Sequence, residues 1–182
     1  MNKENKSVYD APTKVSETKR HILTILVDNE PGVLARVIGM FSGRGYNIDS
    51  LNVAEVSNMH LSRITIVTQG TDAVLEQIQT QLMNIVPVHS VTNLQTEGNA
   101  VEAEVALVYM EIEESNKKKT YQICDFYRAR KIENENNSII FEIAGASERI
   151  NTFIKDIGKI ANIEIVRSGP VAISSLPKNE EE

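Results

Sequence analysis

The chain has 182 residues, room for one large domain or for two small ones of about 75 residues each once polar tails are set aside. Its 41% hydrophobic content suffices for packed cores, and 19 basic against 25 acidic residues, with a net charge of −6 and no long basic face, argue against nucleic acid and anionic membrane as partners. No apolar run reaches the ~18 residues of a transmembrane helix, and the lone cysteine, Cys124, excludes an internal disulfide, so a soluble protein of a reducing, cytoplasmic setting is expected.

Residues 1–19 mix Lys3, Glu4, Lys6, Asp10, Lys14 and Glu17 with few large apolar side chains and read as a disordered tail. They lack the apolar stretch of a secretory signal and carry acids that an organelle transit peptide avoids. Residues 21–28, "HILTILVD", predict a short, nearly continuous apolar strand. Val33, Leu34, Val37, Ile38 and Phe41 follow at helical spacing, and the helix is expected to stop among Gly43 and Gly45. Leu51 and Val53 alternate with polar neighbours, as do Ile64 and Ile66, about the turn "SNMH", which predicts a hairpin. Val74, Leu75, Ile78, Leu82 and Ile85 make a second amphipathic pattern, closed by Pro87, and residues 88–95 form a last strand. The order is βαββαβ.

Residues 96–100 are polar with a glycine and suit a linker, after which the rhythm restarts. Residues 105–112 read as a strand, 121–129 as a helix, the short polar stretch 130–135 as a strand, and 139–145 as a strand with Ile139, Phe141 and Ile143 on one face. Ile150, Phe153, Ile154, Ile157 and Ile160 are spaced as a helix, and residues 162–174 close the set as a strand. Glu113, Glu114 and the basic triplet Lys117, Lys118 and Lys119 fall in a polar connection, simplest as a solvated loop, with the triplet open to a partner. The chain is therefore expected to be an α+β protein of two tandem ferredoxin-like βαββαβ sandwiches, over 20–96 and 100–176, with an acidic tail over 177–182.

The first helix carries chemistry at both ends that packing alone does not ask for. Asp28 or Asn29 can cap it, Pro31 suits its first turn, and Gly32 leaves the backbone N–H groups there open to a ligand. A helix start of this kind attracts a carboxylate or phosphate through unpaired N–H groups and the helix dipole. At the far end Gly45 can take a positive φ and turn the chain, so that Asn47, donor and acceptor at once, enters the next strand. Anion-binding donors, an acceptor for an ammonium and an apolar slot are what a zwitterionic amino acid requires. A simpler reading stays open, in which Asn29 and Gly32 only cap and turn and Asn47 only starts a strand.

The run "DNEPGVLARVIGMFSGRGYNIDSL", residues 28–51, with "LSRITIV", residues 61–67, resembles the opening of the regulatory small subunits of acetolactate synthase, whose first half is an ACT domain. A looser likeness extends through "ICDFYRARKIE" and "VRSGPVAIS" to about Ser174. The resemblance implies a regulatory subunit in valine, leucine and isoleucine biosynthesis. Such a chain activates a separate catalytic (large) subunit and makes it responsive to branched-chain amino acids, most often valine. It also implies that the first sandwich is an ACT domain that pairs as a homodimer with the effector at the mutual interface. Asn29, Gly32, Val33 and Leu34 of one protomer would then face Asn47 and Ile48 of the other. No cofactor is expected in this chain, since thiamine diphosphate, Mg and FAD would belong to the catalytic subunit. The alternative is an ACT sensor serving another metabolic enzyme.

Other chemistries lack their residues. His21, His60 and His89 have neither mutual helical spacing nor nearby cysteines, so no metal site is expected. Gly39, Gly43 and Gly45 lie inside and after a helix, whereas a phosphate loop precedes one and ends in Gly-Lys-Ser/Thr. No paired acid and base or activated nucleophile stands out, and no catalytic residue is assigned. An RNA-binding sandwich would need aromatic central strands and a basic surface, against 5% aromatics, no tryptophan and a negative charge here.

Overall fold

The computed structural model describes residues 17–96, 100–135 and 138–175. In the first half β1 (Lys19–Asp28) is followed by α1 (Val33–Gly43), β2 (Ser50–Glu55), β3 (Leu61–Gly70), α2 (Asp72–Met83) and β4 (Val88–Asn93). The strands form one antiparallel sheet in the order β2-β3-β1-β4, with Ile25 opposite Ile64 and Leu23 opposite Ile66. Side chains alternate across a strand, so Leu23, Ile25, Val27, Ile64 and Ile66 all point to one face. Val33, Val37 and Phe41 from α1 and Leu75, Ile78 and Leu82 from α2 cover that face and close the first core. The second half repeats the plan with β5 (Ala100–Glu111), α3 (Lys117–Phe126), β6 (Arg130–Glu135), β7 (Ser138–Gly145), α4 (Ser147–Ile157), β8 (Ile163–Arg167) and β9 (Val171–Ser174). Its main sheet runs β6-β7-β5-β8, and Val108, Met110, Phe141 and Ile143 meet Cys124, Ile150 and Phe153 in the second core. Both halves are ferredoxin-like sandwiches, as the apolar periods predict.

Three local expectations are corrected. The lysine triplet is the first turn of α3 rather than a loop, because the Thr120 amide and hydroxyl both return to the Asn116 carbonyl and start the helix there. Exposed lysines carry no apolar period, so nothing in the pattern announced that turn. The closing strand is two strands: Gly169 adopts φ +72° and Pro170 has no N–H to give, so pairing breaks between β8 and β9. β5 begins at Ala100 and so takes β8 along one stretch and β9 along residues 100–103. Of the two expected tails, only residues 17–19 lie within the described residues, and Lys19 already belongs to β1.

The ribbon of β9 and the start of β5 joins the halves. Ala172 packs on Ile22, Val67 and Leu94 at the outer face of the first sheet, and all four are buried. Arg20 pairs with Glu102 at 2.7 Å, and the Asn52 side chain donates to the Pro170 carbonyl at 3.0 Å. Farther along, Glu104 is buried and paired with Arg167, which also donates to Asn151 at 2.7 Å.

Candidate functional site

The loop before α1 is tied down by the β2–β3 hairpin. The Asn29 amide donates to the His60 carbonyl at 2.7 Å, and its side chain donates to Glu55 at 2.8 Å and to the Met59 carbonyl at 3.2 Å. The Asn29 side chain is therefore used to hold the loop and does not cap the helix. Asp28 does not cap it either: as the last residue of β1 it accepts from His89 Nε2 at 2.6 Å. Pro31 precedes the helix rather than sitting in its first turn. The N-cap is Gly32 at φ +89°, with no side-chain cap and no acid in the first turn. This end of α1 is left electropositive and open, the condition under which a helix start takes an anion. Among the described residues the amides of Gly32, Leu34 and Ala35 have no backbone acceptor, and a Cβ on Gly32 would meet nothing within 4 Å.

Val33 and Leu34, equivalent in the periodic pattern, part company in space. Val33 is 2% exposed and its side chain belongs to the first core, so only its backbone faces outward. Leu34 is 36% exposed and offers apolar surface beside the open amides. At the other end of α1, Gly45 takes φ +72° and the chain turns into Asn47. The Asn47 side chain is exposed and its nitrogen donates to Asp49 at 2.7 Å, while its oxygen can act as an acceptor. The Asn47 carbonyl accepts from the buried Thr68 hydroxyl at 2.6 Å, and Ile48 is half-buried against the first core. The expected residues thus form two clusters. They flank a helix of 11 residues, about 16 Å long at ~1.5 Å per residue. One chain cannot bring both clusters onto one small amino acid.

The remaining chemical groups are accounted for locally. Cys124 is buried in the second core, and burial, with Asp125 adding to it, pushes its thiol up to about 12, so it carries no thiolate at neutral pH. His21 is buried beside Asn93, their side-chain nitrogens 3.2 Å apart. Among the described residues no group of three or more metal-ligating side chains is assembled, and no helix is long and apolar enough to cross a membrane. Sequence reasoning missed the inter-sandwich contacts of Arg20, Asn52 and Ala172, whose partners are remote in the chain and carry no local motif.

Comparison with known proteins covers both halves. Residues 23–90 match the ACT domain model described as that of acetohydroxyacid synthase small-subunit-like proteins, and residues 103–176 match the model of the small subunit of acetolactate synthase. The chain is 39% identical over 156 residues to an acetolactate synthase isozyme 3 small subunit of Salmonella typhimurium, covering 85% of this chain and 95% of the relative. It is 40% identical to the Escherichia coli counterpart at the same coverage. Among solved structures, the acetolactate synthase small subunit of Thermotoga maritima superposes with a TM-score of 0.79 at 34% identity, over 87% of this chain and 99% of that one.

Proposed function

The chain belongs to the acetolactate synthase small-subunit family, and from that premise we propose that it binds and activates the thiamine-diphosphate-dependent catalytic subunit and confers feedback inhibition by branched-chain amino acids, valine foremost. It does so in the cytoplasm, as a homodimer joined through its first sandwiches. The catalytic subunit, not this chain, holds thiamine diphosphate, Mg and FAD. The observation that carries the reading is the division of the candidate site between the two ends of α1. In the dimer proposed, a two-fold axis sets the start of one α1 beside the end of the other, and because such a contact is reciprocal it makes two equivalent sites. The effector carboxylate then lies on the open amides about Gly32, its ammonium meets the Asn47 oxygen of the second chain, and its side chain lies between Leu34 and Ile48.

Calorimetric titration with valine, leucine, isoleucine and alanine tests this. Valine exceeds alanine by two carbons, worth about 1.6 kcal/mol at ~0.8 per buried CH₂, so alanine is expected to bind roughly fifteenfold more weakly. Equal affinity would remove the apolar slot. A stable monomer by sedimentation at micromolar concentration, with saturating valine present, would remove the shared site altogether. Recovery of a different enzyme in place of the large subunit would reassign the partner.

A further inference from the structure

Asn47, which the reading above sets against the effector's ammonium, is not alone at the end of α1. Asp49 stands two residues on, and its carboxylate divides between two amides: one oxygen accepts from Asn47 Nδ2 at 2.7 Å and the other from Gln69 Nε2 at 2.9 Å. All three residues are exposed. Exposed polar side chains ordinarily bond to water or backbone rather than to one another, so the convergence of three asks for a cause. Shaping the chain is not that cause, because the backbone there is held without it. The Asp49 amide donates to the Val67 carbonyl at 2.8 Å, the buried Thr68 hydroxyl donates to the Asn47 carbonyl at 2.6 Å, and Ser50 is in register with Val67. Nor is the carboxylate spent on a cation. Arg20, which borders the same hollow as Asp49, is paired with Glu102 at 2.7 Å, and Asp49 forms no ion pair among the described residues.

We propose that Asp49 is a positioning residue of the effector site: it engages the nitrogen of the Asn47 amide, so that the amide oxygen is the atom given to the ammonium of the bound amino acid, and it sets an unpaired negative charge beside that oxygen. A carboxylate only accepts, so of the two branches of the amide it can engage only the nitrogen. A freely turning amide would also present its NH₂ group, a donor that an ammonium cannot use. Gln69 fixes the carboxylate in turn, since a group that orients a binding side chain must itself be held. With one oxygen on each amide and no cation beside it, the charge of Asp49 stays available to attract the ammonium. The proposal rests on the functional reading above and adds what makes the site demand an amino group. A 2-hydroxy acid of the same carbon skeleton satisfies the open amides about Gly32 and the apolar slot, but brings no cation to the Asn47 end.

The test uses the full chain, with calorimetric titration of valine and its displacement by 2-hydroxy-3-methylbutanoate, the hydroxy acid of the same skeleton. The unsubstituted chain is expected to prefer valine at least ~10-fold, the scale of a hydrogen bond to a charged group. Asp49→Ala is expected to weaken valine ~10-fold or more and to leave the hydroxy acid within ~2-fold, so that the preference collapses. A merely structural lesion would weaken both ligands alike. Asp49→Asn keeps an acceptor for Asn47 Nδ2 and removes only the charge, so it is expected to lose less, about threefold at low salt. Circular dichroism and sedimentation check that each variant folds and keeps the mass of the unsubstituted chain. If the unsubstituted chain does not bind valine, or Asn47→Ala binds it unchanged, the functional reading falls and this inference with it. If Asn47→Ala weakens valine while Asp49→Ala binds it within ~2-fold of the unsubstituted chain, this inference alone is overturned. It is equally overturned if Asp49→Ala weakens valine and the hydroxy acid by the same factor, if it lowers the sedimentation mass, or if Asp49→Asn loses as much affinity as Asp49→Ala.

Discussion

The two sandwiches share a fold and differ in how their first helices begin. α1 starts at an uncapped glycine with open amides, no acid in the first turn, and empty space in front. α3 starts at Asn116, whose side chain is drawn off to the Ile160 carbonyl, and three lysines fill its first turn. Those cations oppose the helix dipole, and one of them, Lys117, is offset by Glu114 at 2.6 Å. The helix ends differ less: Gly45 makes the positive-φ turn in one, and Arg128 at φ +51° makes it in the other. One topology therefore carries an open, uncapped helix start in the first half and a lysine-filled one in the second.

If the two halves fold independently, a lesion in one core should leave the other intact. Phe153 is fully buried in the second core, and truncation of such a side chain costs ~3–5 kcal/mol. Phe153→Ala should split thermal unfolding, with the second sandwich melting early and the first little changed, as amide exchange would resolve. A single transition shifted as a whole would mean that the two halves are one cooperative unit. A smaller effect is expected from Asn47→Ala, where loss of a hydrogen bond to a charged group costs on the order of 1.5–3 kcal/mol of effector affinity. Calorimetry with valine reads it, and unchanged affinity would place the ligand elsewhere.

Below these ranks the joint between the halves. A Cβ on Gly169 would stand 1.9 Å from the Ser50 hydroxyl, and the residue sits at φ +72°. The hydroxyl can rotate away, but Asn52 Nδ2 and Ser50 Cβ, each at 3.2 Å, must also give, so crowding adds to the left-handed backbone cost of Gly169→Ala, about 1–2 kcal/mol. The expected outcome is a lower melting temperature with faster proteolysis between the sandwiches and intact valine binding. No change in either would show that the contact of Asn52 with Pro170 does not hold the halves together.

Much of this architecture is legible in the residue pattern, for a physical reason. Leu23, Ile25 and Val27 alternate because one sheet face is buried, and Val37 and Phe41 recur at helical spacing because one helix face is. The pattern is silent where polarity hides an element, as in the lysine start of α3, and where an apolar run spans two strands, as from Ile163 to Ser174. It also cannot tell Val33, spent on the core, from Leu34, left at the surface. Gly32 and Asn47 stand out because glycine and asparagine at helix ends carry conformational and hydrogen-bonding meaning of their own. The ion pair of Arg20 with Glu102 joins residues 82 apart and has no local sign at all.

The smallest effect expected is the response to acid, and it too distinguishes the halves. In the second sandwich Asp156 is held below the usual carboxylate range, first by its hydrogen bond from Lys159 and then by that from the Tyr127 hydroxyl. Glu142 is likewise held low by its hydrogen bonds from Arg130. A carboxyl whose value is depressed on folding contributes stability that is present above its unfolded value and lost as pH falls through its folded one. Both groups lie at the surface and are screened by solvent, which keeps the contribution small. Melting of the second sandwich should therefore decline as pH falls through and below the usual carboxylate range, more steeply in the unsubstituted chain than in Asp156→Asn/Glu142→Gln. Parallel melting curves for the two chains across that range would show that these pairs add nothing to the fold, and would leave packing alone to hold the second sandwich.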